Sequence, residues 1–264
     1  MTITMNIVVC VKYVPDAQAE RGFDDSDLTT NRESVEGLLS ELDEYAIEEA
    51  LKIAEGSEGE VTVVTIGPER AADAVKKALQ MGADKGVHVS DPAIKGSDAW
   101  ATSLILAHTI NKIGSPDLVL TGMSSTDGSM AVVPAMLAER LGLPQITLVS
   151  ELTVTEGSVQ ARRDGDVASE TIVGTLPAVV SVTDQINEPR YPSFKGIMAA
   201  KKKPVETWSL ADLGIDAGQV GAAGAYTEVI AVTKRPPRAQ GEIVADDGDG
   251  GTKLAAFLAA RKFI

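Results

Sequence analysis

The sequence predicts an α/β protein built on a Rossmann-like, mostly parallel sheet, with an antiparallel meander appended and a C-terminal arm. Three observations lead there. Short β-branched apolar runs alternate with amphipathic, helix-length segments through residue 145, the pattern of parallel strands joined by right-handed helical crossovers. Residues 146–182 then read as strands separated by tight Gly- and Asp-rich turns, as a meander does. From residue 187 the chain becomes Pro-, Gly- and charge-rich, too irregular for the interior of a compact domain. The boundaries fall at 1–186, 187–206 and 207–264.

Asn6–Tyr13 (NIVVCVKY) is a first strand, apolar on both faces. Ser40–Gly56 is a helix. Ser40 and Asp43 are spaced for a capping box, Leu42, Ala46, Ala50 and Ile53 share a face, and Gly56 is the stop. Glu60–Ile66 is the next strand, ending at Gly67-Pro68, and a helix over Glu69–Met81 closes at Gly82. Gly86–Ser90 is a strand, Ser97–Ile113 a helix with Ser97 as N-cap, Pro116–Gly122 a strand and Ser129–Gly142 a helix. Ile146–Thr155, Ser158–Arg163 and Glu170–Val173 form the meander, and Leu176–Val182 is another buried strand. A short amphipathic helix, Thr252–Ile264, ends the chain. The stretch before it is either disordered or an arm laid on another surface. Apolar residues at Val220, Tyr226, Val229, Ile230 and Val232 favour the arm.

Composition narrows the function. With 44% hydrophobic and 23% charged residues the chain is globular, and a net charge of −14 opposes nucleic-acid binding while favouring a basic partner. No apolar run approaches the ~20 residues that span a bilayer, and Met1–Asn6 lacks the marks of a signal peptide. A single cysteine, Cys10, excludes an internal disulfide and a Cys-based zinc site. A cytoplasmic protein is expected. His88 and His108 stand at no metal-ligand spacing, and there is no HExxH or GxSxG pattern, so hydrolase chemistry is not indicated.

In open parallel sheets ligands bind at the carboxyl ends of the strands. Three loops lie there: the acidic Val14–Thr29, Ile66-Gly67-Pro68, and Gly122–Ser129 with its glycines and hydroxyls. The last reads either as a phosphate-binding loop leading into a helix N-terminus or as a plain turn. Asp127 reads either as that helix's cap or as a hydrogen-bond partner for a ribose or amino group. Lys201-Lys202-Lys203, after the isolated Phe194 and near Ile197 and Met198, reads as a docking surface or as a solvated face. Cys10, inside a buried strand, reads as an inert thiol, and Trp100 and Trp208 as packing residues.

Several longer motifs occur together and in order: Val11–Asp16 (VKYVPD), Asp43–Ala50 (DEYAIEEA), Ala78–Asp84 (ALQMGAD), Asp117–Gly122 (DLVLTG), Val159–Gly165 (VQARRDG) with Glu170, Leu176–Val180 (LPAVV), and Asn187–Tyr191 (NEPRY) leading to Ile197-Met198 and the lysines. With them the chain resembles the β subunit of electron-transfer flavoproteins along nearly its whole length. The resemblance implies a non-catalytic electron carrier that pairs with a larger α subunit. FAD is then held mainly by α, and an AMP is buried structurally in β. Residues 1–186 become the nucleotide-binding domain, 187–206 the partner-recognition loop, and 207–264 an arm and helix packing on α. Nucleotide contacts carried over fall on Cys10; on Ser40, Glu41, Leu42 and Asp43; on Ile66; and on Gly122, Met123, Ser124, Ser125, Thr126, Asp127, Gly128, Ser129, Met130, Ala131, Val132, Val133 and Pro134. Partner docking falls on Arg190, Tyr191, Phe194, Ile197, Met198, Lys201, Lys202 and Lys203. The resemblance further implies that flavin dehydrogenases, such as those for acyl-CoA in fatty acid oxidation, donate the electrons. A membrane quinone oxidoreductase accepts them.

The sequence departs from the family pattern in places. The DxDxNQTG loop of familiar members is replaced by Asp127–Pro134 (DGSMAVVP), nearer the DG[DS]T of a bifurcating branch that holds a second FAD in the β pocket. Ala17 stands where some members carry an aromatic residue near the flavin. AMP is the expected occupant and FAD the alternative. A stand-alone adenine-nucleotide-binding regulatory protein is the competing class, and a nucleotidyl-transferring or lyase enzyme on this fold lacks an evident base or metal cluster.

Overall fold

The computed structural model describes residues 4–238, 240–241 and 243–264, so the first three residues of the Met1–Asn6 reading lie outside it. In chain order the elements of the first unit are β1 (Asn6–Cys10), β2 (Tyr13–Pro15), β3 (Gly37–Leu39), α1 (Glu41–Ser57), β4 (Glu60–Ile66), α2 (Ala72–Met81), β5 (Lys85–Val89), α3 (Ala99–Ile113), β6 (Leu118–Gly122), α4 (Val133–Leu141), β7 (Gln145–Thr155), β8 (Ser158–Asp164), β9 (Ser169–Thr175), β10 (Ala178–Val182), α5 (Phe194–Ala200), β11 (Val205–Trp208) and α6 (Gly221–Gly224). This unit ends at Ile230.

Among the described residues a nine-stranded sheet runs β11-β5-β4-β1-β6-β10-β7-β8-β9. It is parallel from β11 through β7, and antiparallel from β7 to β8 and β9. The appended meander therefore sits at one edge, as the sequence predicts. Alternation along the strands supplies two cores. Ile7 and Val9 join Val61, Val63, Leu118 and Leu120 beneath Ala46, Ile47, Ala50 and Leu51 of α1 and Val75, Ala78 and Leu79 of α2. Val8 and Cys10 join Val64, Val119 and Val179 beneath Ile105 and Ile110 of α3 and Leu137 of α4. Both faces of the central strands are covered, which is why their sequences are continuously apolar.

The differences from the sequence reading have local causes. The Asn6–Tyr13 run is interrupted after Cys10, and β2 turns away to pair with β3 in a small antiparallel sheet. The Ser40–Asp43 capping box does not form. Ser40 holds the N-cap position without a side-chain cap: the Asp43 N–H donates to the Ser40 carbonyl at 2.9 Å rather than to its hydroxyl, and the Asp43 carboxylate accepts from the backbone N–H of Lys12 at 2.8 Å. Helix α1 runs past Gly56, and Glu58 in the left-handed region (φ 52°) ends it. Asp98, not Ser97, caps α3, accepting from the Ala101 N–H at 3.0 Å. The Ser97 hydroxyl accepts from the Gly221 N–H at 2.8 Å instead. Helix α4 begins at Val133 rather than Ser129, since Ser129 (φ 51°) and Ala131 (φ 57°) are left-handed; Pro134 thus lies in its first turn, where a missing N–H costs nothing.

Strand β11, inside the stretch read as irregular, pairs with β5 at the sheet's other edge. Only Trp208 of its four residues is buried, so its sequence lacks the apolar signature of a strand. Residues 209–230 also carry structure: Leu210, Leu213, Ile215 and Val220 are buried in the α3 and α4 core. His88 Nε2 lies 3.1 Å from the Gly67 carbonyl and His108 Nδ1 3.1 Å from that of Leu213; both histidines serve packing. Trp208 is buried, whereas Trp100 is 44% exposed and carries Arg140 over its ring.

The second unit, Ala231–Ile264, contains α7 (Gly250–Ala260), close to the predicted Thr252–Ile264. None of its helical residues is buried. No helix among the described residues is long and apolar enough to cross a membrane.

Candidate functional site

The chain visits β4, β5 and β11 on one side of β1 and β6, β10 and β7 on the other. The order therefore reverses between β1 and β6, the position at which open parallel sheets bind ligands outside their carboxyl edge. Cys10 ends β1, Ile66 ends β4 and Gly122 ends β6, and the start of α1 closes against the same edge. A Cβ on Gly122 would stand 2.6 Å from Asp43 Oδ1 and 2.7 Å from the Leu42 carbonyl, so only glycine lets α1 approach β6 this closely. Ser40, Leu42, Asp43 and Gly122 are thus brought together, while Glu41 is exposed.

Burial dominates the electrostatics beneath this edge. It pushes the Asp43 carboxyl up to about 7. Burial, helped by the neighbouring Asp43 charge, pushes the Cys10 thiol up to about 12, in keeping with an inert thiol.

Met123–Val132 forms the loop above. The Asp127 side chain is fully buried, and its two oxygens accept from Lys12 Nζ and from Arg32 Nε, each at 2.8 Å. The Gly128 N–H donates to it at 2.7 Å. Although burial opposes the charge, these two cations hold Asp127 well below the usual carboxylate range. The reading of Asp127 as a helix cap is overturned, because α4 starts at Val133 and the carboxylate is engaged by Lys12 and Arg32. Ser125 accepts from the Gly128 N–H at 3.2 Å. Gly128, Ser129, Met130 and Ala131 are exposed, whereas Pro134 is buried. Met123, Ser124, Thr126, Val132 and Val133 are half-buried.

Among the described residues, four buried side-chain polar atoms have no hydrogen-bond partner, and three belong to this edge: Ser40 Oγ, Thr65 Oγ1 and Thr126 Oγ1. A buried hydroxyl left unpaired costs about 1–3 kcal/mol, so those just before α1, near the end of β4 and in the loop after β6 are suited to a polar ligand. An adenine nucleotide, with ribose hydroxyls and ring nitrogens, fits that donor and acceptor set. Thr65, Lys12 and Arg32 were not predicted as site residues. Thr65 has the signal of a hydroxyl one residue from a strand end; Arg32 sits far from every motif and is placed only by folding.

A second constellation lies at α5. Ser193 caps this helix, accepting from the Gly196 N–H at 3.0 Å. Arg190 is ion-paired with Glu48 (Nε–Oε2, 2.7 Å) and with Glu55, both on α1. Lys203 Nζ donates to the carbonyls of Leu79 (3.3 Å), Gly82 (2.8 Å) and Ala83 (2.6 Å), closing the end of α2. A Cβ on Gly196 would stand 2.5 Å from the Gln80 carbonyl; glycine seats α5 directly on α2. Of the eight predicted docking residues, Arg190 and Lys203 therefore face inward as straps. Of the apolar and aromatic ones, Tyr191 (91%) and Phe194 (81%) are the most exposed, and Ile197, Met198, Lys201 and Lys202 are exposed as well.

A profile of the Electron transfer flavoprotein domain matches residues 27–213. The electron transfer flavoprotein subunit beta of Mycobacterium bovis is 47% identical over 264 residues, covering 98% of this chain and 99% of its own. That of Mycobacterium leprae is similar to the same degree over the same shares. The caffeyl-CoA reductase-Etf complex subunit CarD of Acetobacterium woodii is 36% identical, covering 91% of this chain and 92% of its own. The family profile over residues 27–213 and relatives matched nearly end to end agree with the parallel sheet reversed at β1/β6: the chain belongs to the electron-transfer flavoprotein family, as a β-type subunit of an electron carrier rather than an enzyme.

Proposed function

We propose that this chain is the β half of a heterodimeric electron-transfer flavoprotein that carries electrons from flavin dehydrogenases, such as those acting on acyl-CoA, to a membrane quinone oxidoreductase. One observation carries the partner reading. The strapped α5 holds Phe194 in solvent and Tyr191 stands out just before it, and large side chains held out on a fixed support are poised to be covered by another protein. The second unit agrees with it: Phe257, Leu254, Phe263 and Ile264 are all exposed there, as suits an arm that closes on an α subunit. FAD, held mainly by that subunit, supplies the redox chemistry when bound. This chain's residues supply binding and orientation.

At the β1/β6 edge the proposed ligand is AMP, held structurally by Ser40, Thr65 and Thr126, whose hydroxyls are otherwise unpaired. A second FAD at that edge is the alternative. The Asp127-Gly128-Ser129 sequence is what speaks for it. Co-expression with the α subunit, denaturation and mass identification of the released nucleotides decides between them. One FAD and one AMP per heterodimer is the expected result. Two FAD and no AMP would move the chain to the bifurcating branch, and failure to associate with α would overturn the heterodimer.

A further inference from the structure

The buried carboxylate of Asp127 lies beneath two cations. Its own side chain is fully buried, whereas those of Lys12 and Arg32 are each 39% exposed. Two positive charges meet one negative charge there, which leaves an excess of positive charge on a chain whose net charge is −14. Asp43, the other carboxyl in this corner, does not restore the balance fully, because burial favours its neutral form. Arg32 reaches Asp127 through Nε alone, so the terminal amino groups of its guanidinium stand outside that pair. Thr126, the residue before Asp127, carries one of the unpaired buried hydroxyls. Two partly exposed cations fixed by a buried carboxylate, with the unpaired Thr126 hydroxyl on the adjoining residue, are suited to an anion.

We infer that Lys12 and Arg32, positioned by Asp127, bind the phosphate of the nucleotide at the β1/β6 edge and make the site selective for 5′-phosphorylated adenosine over the bare nucleoside. The inference rests on the nucleotide reading of that edge and adds the residues that recognise its charge. The phosphate of AMP and the diphosphate of FAD share the chemistry. Asp127 is a positioning residue. It brings a lysine between β1 and β2 and an arginine from the loop before β3 to one point.

The test uses the complex with the α subunit, unfolded, freed of nucleotide and refolded with FAD in an equimolar mixture of AMP and adenosine. Trapped compounds are released and counted by mass, and the phosphorylated adenosine beyond the one FAD of α is set against adenosine. Wild type is expected to trap the phosphorylated form. In Arg32→Gln the ratio of phosphorylated form to adenosine should fall about tenfold, as loss of one charge-assisted hydrogen bond implies. Arg32→Lys should restore most of that ratio, and Lys12→Gln should lower it as Arg32→Gln does. An Arg32→Gln complex that refolds and traps at the wild-type ratio overturns the inference while leaving the nucleotide reading intact. So does one that loses AMP and adenosine equally, since that is the behaviour of a residue that merely holds the loop. Wild type that traps neither compound nor a second FAD overturns the nucleotide reading, and the inference with it.

Discussion

Asp43 and Asp127 are both carboxylates under the same sheet edge, and their surroundings push them in opposite directions. Asp127 has Lys12 and Arg32 against it and stays charged; Asp43 meets chiefly low-dielectric burial and rises to about 7. The sign of the consequence follows from linkage. Asp43 ionises near 3.8 when unfolded, so between roughly pH 4 and pH 7 the native chain holds the extra proton, and stability falls as pH rises across that window. An Asp43→Asn variant keeps an acceptor for the Lys12 N–H and removes the buried charge. Because its amide cannot also accept from the Gly122 N–H, the test is the trend: its stability relative to wild type should be higher near pH 8 than near pH 5, read as denaturation midpoints. A difference that did not change with pH would contradict the assignment. Cys10 gives a second check at this scale. With its thiol pushed up to about 12, it should react with a thiol reagent near pH 8 only on unfolding, and rapid native labelling would count against the buried site. Both residues stand in motifs visible in the sequence. Their titration was not visible, because the sequence does not state what surrounds a side chain.

At the scale of elements, α5 shows how a short helix of seven residues is made dependable. Alone it would be far below the length at which helices persist in water. The Ser193 cap, the Arg190 pairs with α1 and the Lys203 bonds to the end of α2 fix it at both ends. Lys203→Met removes the cation from three carbonyls and should cost about 2 kcal/mol, with faster amide exchange in residues 194–200 as the measurement. Phe194→Ala is expected to leave that exchange unchanged, because the ring is exposed, and to weaken dehydrogenase-linked turnover about tenfold, the magnitude of a typical apolar anchor. Unchanged turnover and complex formation would remove Phe194 from the docking role. Gly122 belongs to this scale too. Gly122→Ala presses a Cβ against Asp43 and Leu42 and should destabilise the chain by about 1–3 kcal/mol in urea. In the sequence the lysine run reads as one surface; the structure divides it, with Lys201 and Lys202 outward and Lys203 spent on a helix end.

For the whole molecule, the division at Ile230 carries a prediction of its own. Residues 209–230 contribute Leu210, Leu213, Ile215 and Val220 to the core on α3 and α4, whereas α7 buries nothing. A chain ending at Ile230 should keep the wild-type melting temperature and lose association with the α subunit, measured by calorimetry and by co-purification. A truncated chain that melted earlier, or still bound α, would refute the division of labour between core and arm.

The sequence by itself determined the α/β class and the succession of strands and helices that builds a mostly parallel sheet with an antiparallel meander. Each of these is written locally, in periods of two and 3.6 residues and in glycine-bearing strand ends. Tertiary structure alone decided the rest. It joined Arg32 to Asp127 across the fold, moved the start of α4 to Val133, spent Asp43 on Lys12 rather than on a cap, and added β11 as an edge strand with one buried residue. Those outcomes turn on which distant groups compete for a hydrogen bond or a charge, and spacing along a chain does not encode that competition.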